Sequence, residues 1–99
     1  MKFMITYSYQ AENFLPVVKA WGSLPPQERA SVGNGAKKIG RWHDVVGRRT
    51  FLVVESDDLA ALARWVGGWN NLGNATVTPV LDDEESGAVA KQIAADHNA

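Results

Sequence analysis

Residues 37–58, KKIGRWHDVVGRRTFLVVESDD, decide how this chain folds. Two runs, 37–45 and 50–55, are rich in β-branched and aromatic side chains, and a glycine-containing reversal at 47–49 lies between them. That pattern predicts a β-hairpin. The same stretch holds the densest set of reactive side chains in the sequence: Arg41, Trp42, His43, Asp44 and Glu55. The hairpin is therefore expected to build part of a sheet and to supply the polar part of any site.

Which side chains share a face depends on the turn, because a slip of one residue exchanges the two faces of a strand. If His43 pairs with Phe51, then Arg41, His43, Val53 and Glu55 share one face, and Trp42 joins Leu52 and Val54 on the other. A two-residue loop at Gly47 and Arg48 instead sets His43 opposite Leu52. The first register is preferred, because it sends Trp42, Leu52 and Val54 together against the helices. It makes Trp42 a core residue.

Upstream, residues 2–9 (KFMITYSY) alternate, with Phe3, Ile5, Tyr7 and Tyr9 on one face. This predicts the first strand. Phe14, Val17, Val18 and Trp21 then recur at i, i+3, i+4 and i+7, the stripe of a helix with one buried side. Asn13 is a suitable cap, and Pro16 is tolerated in the first turn, so the helix is expected from about Asn13 to Gly22. The connection that follows is rich in Pro and Gly. Residues 25–29 there suit one helical turn, with Arg29 solvated.

Downstream, Ser56 or Asp57 can cap a second helix whose apolar stripe is Leu59, Leu62, Ala63 and Val66. Trp65 and Trp69 widen that stripe. Residues 75–81 (ATVTPVL) alternate as a fourth strand, where Pro79 argues for an edge position or a strand end, since it has no N–H for a ladder. The order is β-α-β-β-α-β in residues 1–82, followed by a partly helical C-terminal tail, 83–99, whose only large apolar residues are Val89 and Ile93. This is the ferredoxin-like signature. Right-handed crossovers place both helices on one face of a four-stranded antiparallel sheet. Met4, Phe51 and Val53 make the other face too apolar to be fully solvated, so a second copy of the chain is expected to cover it.

Composition bounds the function. The 99 residues suit one small domain, and 45% hydrophobic with 21% charged residues is a globular balance. A net charge of −1 gives no general attraction to nucleic acid or to an anionic membrane. With no cysteine there is no disulfide framework, thiolate metal site or redox thiol. Lys2 leads straight into the first strand without a signal-peptide pattern, and no apolar run reaches spanning length, so a cytoplasmic location is expected.

GRWH (40–43), VVESDD (53–58), ALARWVGGWN (61–70) and VTPVLDDEE (77–85) together resemble a domain-of-unknown-function family with the same motif order. The resemblance covers nearly the whole chain. It implies the dimeric α+β barrel superfamily, in which two ferredoxin-like sheets pack face to face and enclose pockets, and it implies no particular activity. Related barrels include cofactor-independent monooxygenases and haem-degrading enzymes. The haem-degrading members use an Asn on the first strand and a His after the second helix. Here those places offer Tyr7 and only the tail residue His97, which speaks against haem degradation.

The leading functional expectation is a homodimer that binds a small molecule between sheet and helices through Tyr7, Arg41, His43, Glu55 and Trp69. A cofactor-free oxygenase or isomerase is the alternative, with His43 as general base held by Glu55 and Arg41 facing an oxyanion. A third is a structural module whose interior is filled by Phe3, Phe51 and the tryptophans. No cofactor and no metal are expected. The DDEE run at 82–85 suits a helix N-terminus better than a cation site. GNGAKKIG (33–40) has glycines but lacks the spacing of a phosphate loop.

Overall fold

The computed structural model describes residues 1–33 and 35–98. Strands β1 (Lys2–Ser8), β2 (Ala36–Asp44), β3 (Arg49–Ser56) and β4 (Asn74–Val80) form one antiparallel sheet in the order β2-β3-β1-β4. Helix α1 (Phe14–Ser23) and the short α2 (Pro26–Ala30) connect β1 to β2, and α3 (Leu59–Gly67) connects β3 to β4. With α4 (Asp83–Asp96) at the end, this is the expected β-α-β-β-α-β order in an arrangement consistent with a ferredoxin-like fold. Pro79 sits in edge strand β4, opposite Phe3, where its missing N–H is tolerated.

The core lies under α3. Phe3 and Ile5 of β1, Leu52 and Val54 of β3, Leu62 and Val66 of α3, and Val32 before β2 form one buried cluster. Asp58 caps α3 by accepting the Ala61 N–H at 3.0 Å, whereas Ser56, an expected cap, is buried and receives the Asp58 N–H at 3.1 Å. Of the expected stripe, α3 buries Leu62 and Val66 and leaves Leu59 and Ala63 exposed. Helix α1 contributes nothing to this cluster. Its Val17 is buried, but Val18 and Trp21 are half-buried, because α1 is held off the sheet. Asn13 precedes α1 as expected yet makes no side-chain cap; its Nδ2 donates to the Leu72 carbonyl at 3.0 Å instead.

The hairpin register differs from the preferred one by a residue. Asp44 pairs with Arg49, His43 with Thr50, Trp42 with Phe51 and Arg41 with Leu52. Asp44 causes this, since its carboxylate takes the Gly47 N–H at 2.8 Å and the Arg49 guanidinium at 2.9 Å, closing a four-residue loop at 45–48. Arg48 supports the turn with φ near 60° and bonds Tyr9 through both its carbonyl and its Nε. Trp42 is consequently not a core residue. It lies on the open face, 61% exposed, with its ring across Gly40, where a Cβ would stand 2.3 Å from Cη2. Glu55 moves to the same open face, opposite Lys2.

Helix α4 has a complete capping box. Asp82 accepts the Glu85 N–H at 2.8 Å and Glu85 accepts the Asp82 N–H at 3.1 Å. Lys2 joins its start to the sheet, 3.2 Å from Asp82, 3.4 Å from Glu85 and 3.7 Å from Glu55. No residue of α4 is buried, Val89 and Ile93 included. Among the described residues no helix is long and apolar enough to cross a membrane.

Candidate functional site

Holding α1 off the sheet leaves a cavity of about 240 Å³. Its floor is the sheet, through Ile5, Tyr7, Thr50, Leu52 and Ala75; Val17, Val18 and Trp21 of α1 form one wall, and Trp65, Val66 and Trp69 form the other. Most of this lining is apolar. Arg41, His43 and the ion pair of Asp44 with Arg49 sit at its polar end. A pocket lined by aromatic and aliphatic groups with a few polar ones at one end has the usual make-up of a small-molecule site.

Tyr7 and Trp69 meet at the far end. The Tyr7 hydroxyl donates to the Trp69 carbonyl at 3.0 Å, and the two rings meet edge to face with centroids 6.3 Å apart. Burial pushes the Tyr7 phenol above its ordinary value, with Tyr9 adding to the shift. Gly73 makes the arrangement possible, because a Cβ there would stand 2.5 Å from the Ser8 carbonyl oxygen and 2.7 Å from Tyr7 Cζ. Only a residue without a side chain lets the loop pass so close.

At the polar end the Trp21 indole is flanked by two cationic or potentially cationic groups. The His43 ring lies 5.0 Å from it, centroid to centroid, and the Arg41 guanidinium carbon 5.3 Å from its centroid. His43 Nδ1 is 3.2 Å from Thr50 Oγ1, its cross-strand partner. Burial pulls the imidazole below its ordinary value, and the Arg41 charge pulls it further. Arg41 is anchored differently from expectation. Its Nη1 donates to the Arg29 carbonyl and its Nη2 to the Ser31 carbonyl at 3.2 Å, so it ties β2 to the end of α2. Burial lowers its pKa, but a guanidinium remains a cation at ordinary pH.

Of the five side chains expected to make the site, Tyr7, Arg41, His43 and Trp69 line this one cavity and Glu55 does not. Glu55 lies on the opposite sheet face beside Lys2, because the four-residue turn leaves His43 and Arg41 opposite Thr50 and Leu52 and not on the side of Val53. It cannot hold the imidazole. Arg29, expected in solvent, is half-buried, and its Nε is buried with no hydrogen-bond partner among the described residues. Trp21 is the residue the sequence undervalues: its helical stripe position reads as core, and only the gap beneath α1 makes it a cavity wall.

No curated protein and no solved structure matches the chain. Residues 1–94 match DUF3303, described as a domain of unknown function. With the match spanning nearly the whole length, the chain belongs to the DUF3303 family.

Proposed function

We propose that this protein binds a small molecule in the cavity between the sheet and α1, and that it works as a homodimer. The observation that carries the first part is the cavity itself: three tryptophans and Tyr7 surround a space of about 240 Å³ without filling it. Burying large aromatic side chains around a void forfeits the dispersion contacts that close packing supplies. A ligand of matching shape restores them. Its test is a thermal-shift screen against a metabolite library, in which a ligand raises the midpoint by mass action, compared with Ala75→Leu, which fills the cavity floor. A ligand that shifts both proteins equally does not bind there.

The dimer reading is supported by surface that one copy leaves without cover. Trp42, Met4 and the half-buried Phe51, Val53 and Val80 lie on the sheet face away from the helices, and Val89 and Ile93 are exposed on α4. An isolated 14-residue helix is marginal in water, so α4 gains from lying against a second copy. An interface on the order of 1,600 Å² is expected. Light scattering should give about twice the 10.8 kDa chain mass, and a monomeric mass at micromolar concentration overturns the dimer.

A further inference from the structure

A second concavity adjoins the cavity. This open groove, about 310 Å³, lies between α2 and β2 and shares Trp21, Arg41 and His43 with the cavity. Its remaining walls carry Arg29 and Lys38. Strict alternation along β2 would put Lys38 and Arg41 on opposite faces. A β-bulge at Ile39 prevents that, pairing Lys38 with Val54 and Arg41 with Leu52, two residues that both face the helices. The irregularity thus aligns Lys38 with Arg41 and His43.

Among the described residues Arg29, Lys38 and Arg41 have no counter-ion. Every ion pair among the described residues uses the N-terminus, Lys2 or Arg49, so no carboxylate of these residues lies within pairing distance of Arg29, Lys38 or Arg41. The chain as a whole is slightly acidic, so the cluster is not a sample of general basicity. Arg41 is fixed by two backbone carbonyls, and Arg29 keeps a buried Nε that bonds none of the described residues. Like charges gathered around a groove repel unless an anion joins them.

We infer that the ligand is a small amphipathic acid, with a flat or aliphatic body in the cavity and a terminal carboxylate or phosphate held in the groove by Arg29 and Lys38. The inference rests on the cavity-binding reading and extends it to ligand chemistry. Apolar cavities of roughly 150 Å³ admit benzene, so the space here suits one ring with a short side chain. Trp21 lines both compartments with Arg41 and His43, so a ligand spanning them would lie against these three side chains.

The test is NMR titration of the full chain with 3-phenylpropanoate, its neutral amide and acetate, following the indole N–H signals. The acid should bind about tenfold or more tighter than the amide, the difference a charge-assisted hydrogen bond makes. Lys38→Gln and Arg29→Gln should each bring the acid towards the amide and leave the amide unchanged; Lys38 is exposed, so that variant folds. Rising ionic strength should weaken the acid alone. Equal binding of acid and amide overturns the groove assignment while the cavity reading stands. Acetate binding as tightly as 3-phenylpropanoate means the cavity contributes nothing, and it overturns the amphipathic ligand. If neither aromatic probe binds, the cavity reading fails and takes this inference with it.

Discussion

The Tyr7 hydroxyl donates to the Trp69 carbonyl at 3.0 Å, fastening the middle strand β1 to the turn after α3 and closing one end of the cavity. Tyr7→Phe keeps the ring contact and leaves a part-buried carbonyl without its donor. Stability should fall by about 0.5–1.5 kcal/mol, the net contribution of a neutral hydrogen bond. Urea denaturation measures it; an unchanged midpoint means that water replaces the hydroxyl without loss.

Gly73→Ala should be worse. The added methyl meets the Ser8 carbonyl in β1 and the Tyr7 ring, and backbone in the middle of a sheet yields little. Overpacking of this kind costs about 1–3 kcal/mol. Near-ultraviolet circular dichroism should change along with the denaturation midpoint, since Tyr7 and Trp69 both shift.

Trp42→Ala separates fold stability from association. Because Trp42 lies on the open face, its loss should leave the unfolding free energy of an isolated chain little changed and should lower the mass seen by light scattering from dimer towards monomer. Leu52→Ala, in the buried cluster, should instead lose about 2–5 kcal/mol of stability. A Trp42→Ala protein that stays dimeric removes this indole from the interface.

His43 gives the pH dependence a sign. Its folded pKa lies below the ordinary imidazole value, so between the two the unfolded chain binds more protons than the folded one. The contribution is fully present above the unfolded pKa, near 6.5, and is lost as pH falls from there through the folded value. An NMR titration should place the His43 midpoint below 6.5, and Arg41→Gln should move it upward. A midpoint at or above the ordinary value contradicts this geometry.

Most of the fold is legible in the sequence because its signals are periodic. Alternation in 2–9 and 75–81, the stripe of α1 and the hairpin runs each match the structure to within a residue or two. The misplacements of Glu55 and Trp42 share one origin. Periodicity says which residues lie together along a strand, but the turn decides how two strands face each other, and Asp44 set that by bonding Gly47 and Arg49. One residue of slip moved Glu55 out of the site and Trp42 out of the core. The cavity was not legible, since Val17, Val18 and Trp21 have the same spacing whether α1 rests on the sheet or stands away from it. Arg29 was obscured by its place in a Pro-rich connection, where charged side chains usually face water.

The bulge at Ile39 has a consequence for how copies of the chain can meet. Strands β2 and β4 are the two margins of the sheet, and each is spoiled as a template: β2 by the irregular spacing at Ile39, β4 by Pro79, which offers no N–H. Lateral growth, strand upon strand into a continuous ribbon, is disfavoured at both margins. The proposed dimer, meeting face to face, would close on itself after two copies and would not propagate.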